Sequence, residues 1–398
     1  MKIRLNVSFF VTFLAMTMLI FACTPKTPEQ VANEKIMQIM EKTGAVGLSV
    51  AVVQNCQIIF SNSYGLKDIE SNTPLTQDQL FRIASISKSF TTTALMTLVD
   101  QGKISLDTDV SDLVGFKVRN PKFPEVVIDL KKLLSHTASL NDSQGYFNLD
   151  VFNPTTNPDY AKCYNDYQPG TQYEYCNLAF NTIGAIVEKY SGVRFDNYIA
   201  QTILKPLGLE ASFNPDSLDA SKFVTLYDYK QADSAAGTAA AFVANPQAYA
   251  SRAKIIDSAY VMGYSTPIFS PTGGMKISAN GLAKYMTMHM FYGTDPATGV
   301  QIISKESAKL MQTPFIETEP GENYCFALET TEKLIPGEVM TGHTGSAYGL
   351  YSAMFFEPVK GFGFVMMTNG CNPVYKDGFT EIQGDVIRAL YDVFVKVK

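Results

Sequence analysis

Apolar residues recur at helical spacing at both ends of the folded part of the chain and at strand spacing just inside them. From Glu29 to Lys42 the apolar positions Ala32, Ile36, Ile39 and Met40 form one helical stripe, which Gly44 closes. Two β-rich runs follow, Gly47–Val53 and Gln57–Phe60, separated by Gln54-Asn55-Cys56, and they predict a hairpin. The far end mirrors this, with strands predicted over 347–356 and 362–368 around Glu357-Pro358-Val359-Lys360-Gly361. A last helix is predicted over 381–396, with Ile382, Val386, Ala389, Leu390 and Val393 on one face. Between the ends the pattern is mostly helical, with stops at Gly102, Gly192 and Pro206. The expected fold class is α/β (α+β): an antiparallel sheet built from both termini and flanked by the terminal helices, with a mostly helical part inserted. Residues 29–80 and 272–398 would form the α/β part and 81–271 the helical part. Two stretches fit less well. Asn141–Gly170 is too long for an ordinary connection and reads as a functional loop, and the Ala-rich segment 230–253 reads as irregular helix.

Residues 1–22 stand apart. Lys2 and Arg4 precede an apolar run from Phe9 to Ile20, short for a membrane span and broken by Thr12 and Thr17, which is the pattern of an export signal. Ile20-Phe21-Ala22-Cys23 resembles the lipobox of bacterial lipoproteins, which would make Cys23 the lipidated first residue of the mature chain and 23–28 a short tether. The expected location is therefore a bacterial cell envelope, with the membrane as partner through the lipid. Five other cysteines remain, Cys56, Cys163, Cys176, Cys325 and Cys371; their odd number leaves at least one unpaired, and their spacing fits no zinc motif.

Composition narrows the chemistry. The 398 residues are 46% hydrophobic and 18% charged, a globular composition, and the net charge of −6 comes with no basic run that could follow a phosphate backbone. No nucleic-acid partner is expected, nor a metal or other cofactor, and a monomer is the simplest state. Only three His are present, His136, His289 and His343, so His-based catalysis has few residues to draw on.

Phe81-Arg82-Ile83-Ala84-Ser85-Ile86-Ser87-Lys88 leads into a run from Ser89 to Val99 with Thr91, Ala94, Leu95 and Leu98 at helical spacing. Ser85 then sits at a helix N-terminus with Lys88 one turn on, within reach of its hydroxyl. Burial and the positive end of the helix dipole both disfavour an ammonium there, so Lys88 can serve Ser85 as a neutral base. Ser-x-x-Lys alone is unspecific, since Ser251-Arg252-Ala253-Lys254 repeats it with no long apolar helix behind. Specificity comes from two further motifs in order: Tyr175-Cys176-Asn177 before the helical stretch 178–190, and His343-Thr344-Gly345-Ser346 leading into a late strand. The rival copies have plain explanations. Lys42-Thr43-Gly44 is helix C-capping chemistry, and Tyr146-Phe147-Asn148 lies in the long loop.

With these motifs, and with Gly102–Asp107, Leu133–Thr137, Lys205–Leu209 and Gly273–Ser278, the chain resembles the serine β-lactamase and penicillin-binding group, in its class C-like branch of β-lactamases, D-alanyl-D-alanine carboxypeptidases, D-amino-acid amidases and family VIII-type esterases. The resemblance implies that Ser85 attacks a carbonyl while Lys88 and Tyr175 accept and relay its proton, and that Tyr175 activates the deacylating water. It implies an oxyanion site at the backbone N–H groups of Ser85 and Ser346, a hydrogen bond from Asn177 to Lys88 and to the substrate amide, and pairing of substrate with the strand from Thr344 through Gly345. The expected substrate is a small-molecule or peptide acyl donor, an amide or ester such as a D-Ala-terminated wall peptide. A penicillin-binding sensor or wall-binding lipoprotein with little turnover, and a class C-like β-lactamase, are the alternatives. His343 stands where class C β-lactamases usually carry Lys, and a neutral imidazole is a poorer carboxylate anchor, which counts against an efficient β-lactamase. Tyr146, Phe147, Phe152, Tyr160, Tyr164 and Tyr167 are expected to form an aromatic rim over the pocket, and His136 and His289 to be structural.

Overall fold

The computed structural model describes residues 25–232 and 239–396. The segment expected to be an export signal, and Cys23, lie outside them. Among the described residues five helices reach twelve residues or more: α1 (Pro28–Thr43), α2 (Ser87–Asp100), α3 (Asn177–Ser191), α4 (Ala279–Met290) and α5 (Glu381–Phe394). None is long and apolar enough to cross a membrane.

One nine-stranded antiparallel sheet organises the molecule. Its strands are β1 (Gly47–Gln54), β2 (Gln57–Asp68), β3 (Thr73–Pro74), β4 (Ile316–Glu319), β5 (Glu322–Tyr324), β6 (Glu329–Thr331), β7 (Met340–Ala347), β8 (Leu350–Glu357) and β9 (Phe362–Thr368), in the spatial order β3-β2-β1-β9-β8-β7-β6-β5-β4. The two ends of the chain meet where β1 pairs with β9, Leu48 opposite Thr368 and Gln54 opposite Phe362. Because side chains alternate along a strand, Leu48, Val50 and Val52 of β1 face one way with Phe355 of β8 and Phe364 of β9, and pack on Ile36 of α1 and Val386 and Leu390 of α5. Ala51, Val53, Met354 and Met367 face the other way, onto α4 and the helical part. A sheet covered on both faces explains why β1 reads as an almost unbroken apolar run.

The terminal helices start and stop where their ends predict. Thr27 and Gln30 form a capping box at α1, and Gly44 closes it in the left-handed region at φ 62°. Helix α2 is buried from Ser87 to Leu98, three consecutive Thr included, so packing on all sides holds a segment of modest intrinsic propensity. A small sheet of Phe81–Arg82, Lys276–Ile277 and Ala211–Ser212 ties the start of α2 to the inserted part.

Two expectations need correction. The described residues of the segment 230–253 are not irregular helix: Tyr227–Lys230 and Ala241–Ala244 pair as antiparallel strands, followed by a single 3-10 turn at Pro246–Tyr249, while 233–238 lie outside the described residues. Tyr229 and Phe242 face each other across the strand pair with ring centroids 5.4 Å apart, and this pairing overrides the helical preference of the alanines. Ala347 ends β7 rather than opening the next strand. The turn falls at Tyr348 and Gly349, both at positive φ, the geometry of the tightest hairpin connections.

Candidate active site

Ser85 sits in one 3-10 turn, Ala84–Ile86, that runs directly into α2. The turn is strained: Ala84 is held at φ 50°, where an L-residue other than Gly or Asn is uncommon. Three bonds impose it. Ile83 donates its N–H to the Met275 carbonyl at 2.9 Å, Ser352 Oγ donates to the Ile83 carbonyl at 3.1 Å, and Ser87 Oγ accepts from Met275 N–H at 3.0 Å. Gly345 of β7 lies so close that a Cβ there would fall 2.3 Å from the Ile83 carbonyl oxygen. The glycine of the third motif thus lets the β7 backbone approach the serine turn.

Lys88 is fully buried one turn beyond. Its Nζ lies 3.2 Å from Ser85 Oγ, 2.9 Å from Asn177 Oδ1 and 3.0 Å from the Thr272 carbonyl. Burial brings its pKa down to about 7, with the negative charge of Asp142 opposing. A neutral amine has two N–H groups and one lone pair, which matches two acceptors and one hydroxyl: Lys88 donates to Asn177 and Thr272 and accepts from Ser85.

Tyr175 completes the group. Its ring centroid is 4.5 Å from Lys88 Nζ and 4.4 Å from the His136 ring. Its hydroxyl is buried without a well-aligned hydrogen-bond partner, and burial pushes it far above the ordinary phenol range, with Ser85 opposing. It is a phenol, not a phenolate, over the physiological range. His136 supports it from below: its Nδ1 accepts from Cys176 N–H at 3.0 Å, and burial holds the imidazole neutral. His289, on α4, contacts Thr93 away from this group.

Asn177 opens α3, and its orientation comes from a residue that the motifs do not contain. The Asp142 carboxylate accepts from the N–H groups of Asn177 and Leu178 and from Asn177 Nδ2, each at 2.9 Å, and Cys176 Sγ lies 3.3 Å away. It caps the helix from 35 residues upstream and turns the Asn177 side chain so that Oδ1 faces Lys88. Helix α3 has no Ser, Thr or Asp at its own N-cap position, where Cys176 stands, and that vacancy was the sequence signal for a distant carboxylate.

His343 is buried on β7. Its Nδ1 lies against the Thr344 carbonyl and its Nε2 is 3.4 Å from the Tyr324 hydroxyl. Burial and nearby Lys88 lower its pKa to about 4, so it is neutral at pH 7. Thr344 is partly exposed and Ser346 open to solvent at the cleft.

Two cavities meet at Ser85, Tyr175 and Ser346. The first, about 410 Å³, runs past Asn177, Thr272, Tyr146, Phe147 and Tyr348. The second, about 380 Å³, runs past His343, Thr344, Tyr173, Tyr324 and Glu329. Of the six aromatics expected to form a rim, only Tyr146 and Phe147 border the cleft. Phe152 and Tyr164 are buried in the core, Tyr160 borders a separate depression beside Arg119, and the Tyr167 hydroxyl accepts a hydrogen bond from Asn165 Nδ2 at 3.2 Å. The second Ser-x-x-Lys, at Ser251 and Lys254, is exposed. The five described cysteines are all free thiols, and among the described residues no cluster of His, Cys, Asp and Glu could hold a metal ion.

Comparison with known proteins bears on the family and the fold. A family model described as Beta-lactamase matches residues 32–382. Penicillin-binding protein 4 of Amycolatopsis lactamdurans is 28% identical over 333 residues, 78% of each chain. A Beta-lactamase of Pseudomonas fluorescens is 31% identical over 191 residues, 46% of this chain and half of that protein. Among solved structures, the octameric penicillin-binding protein homologue from Pyrococcus abyssi superposes with a TM-score of 0.69 at 24% identity, over 92% of this chain and 76% of that one. The D-amino acid amidase from Ochrobactrum anthropi gives 0.68 at 19%, over 92% and 99%. These likenesses bear on the fold.

Proposed function

The chain belongs to the beta-lactamase family of serine hydrolases, and from that premise we propose that it forms an acyl-enzyme on Ser85 and hydrolyses an amide or ester. The observation that carries the reading is the contact of Ser85 Oγ with the fully buried, partner-matched Lys88 amine at 3.2 Å. Lys88 takes the Ser85 proton as Oγ bonds to the substrate carbonyl carbon. The oxyanion is held by the N–H groups of Ser85 and Ser346, two residues that both line the cleft. As the carbon–nitrogen or carbon–oxygen bond breaks, the Tyr175 phenol gives its proton to the departing atom and regains one from Lys88. Water then attacks the ester, its proton passing back along the same pair, and Ser85 is restored. Because its hydroxyl stays protonated, Tyr175 acts here as a donor and relay, and Lys88 supplies the basicity. Asn177 holds Lys88 and presents its amide to the acyl portion of the substrate.

Neutral, buried His343 supplies no cation for a substrate carboxylate, which speaks against efficient β-lactamase turnover and against a role as penicillin sensor. A lipid anchor at Cys23 facing a bacterial cell wall is part of the proposal, with wall-derived amides as the substrate source. The test is to incubate the purified protein with a fluorescent penicillin, a D-Ala-D-Ala peptide and a p-nitrophenyl ester, with Ser85→Ala as control. Turnover of at least one donor, lost in Ser85→Ala, is expected; turnover that survives in Ser85→Ala overturns the mechanism. A stoichiometric penicillin adduct without turnover of any donor would replace hydrolysis by sensing. Radiolabelled palmitate incorporation in cells, abolished by Cys23→Ser, tests the anchor.

A further inference from the structure

The second arm of the cleft contains an acid that the reaction just described does not use. Glu329 lies on β6, opposite Gly342 in register, one strand outside His343. It shares a cavity with Ser85, Tyr173, Tyr175, His343 and Thr344. No described side chain hydrogen-bonds its carboxyl group, and no Lys or Arg lines the arm. The nearest lysine on this edge, Lys333, is taken by Glu319 at 2.6 Å and Glu322 at 3.4 Å. The acid is thus free of any counter-charge and faces the space next to the scissile bond. The other arm holds Asn177, whose amide serves the acyl portion, so the arm of Glu329 receives the departing group. This assignment rests on the acyl-enzyme reading above.

We propose that Glu329 selects the leaving group: this arm accepts a neutral or cationic amine or alcohol and turns away one that carries a carboxylate. The favoured substrates are then amides, or esters, whose departing part has no free acid beside the scissile bond, and a peptide releasing free D-alanine is a poor one. Burial and the neighbouring charge of Glu322 raise the Glu329 pKa to about 8, so at pH 7 its carboxyl is largely protonated and donates a hydrogen bond, and above pH 8 it repels anions. The groups facing it from the packed elements are the Tyr173, Tyr175 and Tyr324 phenols, neutral His343, the Cys325 thiol, which burial keeps protonated, and, from β5, Glu322; Lys88 lies beyond Tyr175.

The test uses three aryl esters of one acyl group, whose leaving phenols carry a para carboxylate, carboxamide or trimethylammonium group. Each kcat/KM is divided by the ester's own hydroxide-catalysed rate. The wild type should favour the neutral and cationic esters over the anionic one by about tenfold at about pH 9, with a smaller preference at about pH 7. Titration of Lys88 affects all three alike and cancels in the ratio. Glu329→Gln should bring the ratio near one and remove its pH dependence. If that variant does not fold, the wild-type pH dependence decides alone. Discrimination that is absent, or that is independent of pH and unchanged in Glu329→Gln, overturns the inference and leaves the acyl-enzyme reading standing. Absence of any Ser85-dependent turnover overturns the reading and the inference together.

Discussion

Replacing Asp142 with Ala removes an acceptor from two backbone N–H groups at the start of α3 and from the Asn177 amide, all bound at 2.9 Å. Losing a cap costs about 0.5–2 kcal/mol and each buried donor left unsatisfied about 1–3 kcal/mol, and the two overlap, giving roughly 2–4 kcal/mol of stability. With an unfolding entropy near 2 cal/mol/K per residue, that is a fall in Tm of roughly 3–5 °C for a chain of this length. Activity should change as well. Without its carboxylate partner the Asn177 side chain is free to rotate, so Lys88 loses a fixed acceptor. The negative charge that opposed the lowering of the Lys88 pKa also disappears. The acid limb of kcat/KM should therefore move to lower pH while the plateau falls about tenfold or more. Differential scanning calorimetry and a pH profile with a p-nitrophenyl ester read both effects. A variant with unchanged Tm and an unmoved acid limb would refute the claim that Asp142 sets the Asn177–Lys88 geometry.

Other expectations follow from the same contacts. In the wild type, kcat/KM should rise with pH around a midpoint near 7, where buried Lys88 loses its proton, and a midpoint above 9 would exclude it as the neutral base. Gly345→Ala places a methyl group 2.3 Å from the Ile83 carbonyl oxygen and 2.4 Å from Ser352 Oγ, so β7 must retreat from the serine turn. Ester turnover should fall about a hundredfold, with a loss of about 1–3 kcal/mol in urea unfolding, and near-normal kinetics would refute the close approach. Buried His289 has its pKa lowered to about 3, so the native state binds fewer protons than the unfolded chain between about pH 3 and the ordinary value of 6.5. Its contribution to stability is present above pH 6.5 and lost as pH falls. Urea unfolding of His289→Leu at pH 5, 6 and 7 should show a pH slope shallower than that of the wild type by up to about 1.4 kcal/mol per unit. An unchanged slope would mean that His289 titrates in the fold as it does in the unfolded chain, which would refute its burial as a neutral imidazole.

Residues that act through local geometry were legible in the sequence. Ser85 and Lys88 are set by one helical turn, and Tyr175, Asn177 and His343-Thr344-Gly345-Ser346 by ordered motifs, and the fold brings them together around one cleft, with Lys88 and Gly345 buried just behind its wall. The sheet built from both termini was legible because β1, β8 and β9 carry their apolar positions in short bounded runs. What escaped depends on contacts between distant segments. Asp142 acts on a helix 35 residues downstream, and Glu329 owes its place to the register of β6 on β7. The aromatics of the long loop look alike in sequence, yet two border the cleft and Phe152 and Tyr164 serve the core, because the path of the loop decides which way each faces. The strand pairing of Tyr227–Lys230 with Ala241–Ala244 was hidden by alanines whose local preference is helical.

The central claim is that Ser85 carries the acyl group. The most direct measurement is intact-protein mass spectrometry of the purified protein quenched in acid within its first turnovers of an activated ester, followed by peptide mapping of the adduct. A single acyl increment on the peptide containing Ser85, absent in Ser85→Ala and sharply reduced in Lys88→Ala, is the predicted result. An adduct on another residue, or ester turnover with no covalent intermediate in a protein whose Ser85→Ala variant is equally active, would contradict the account.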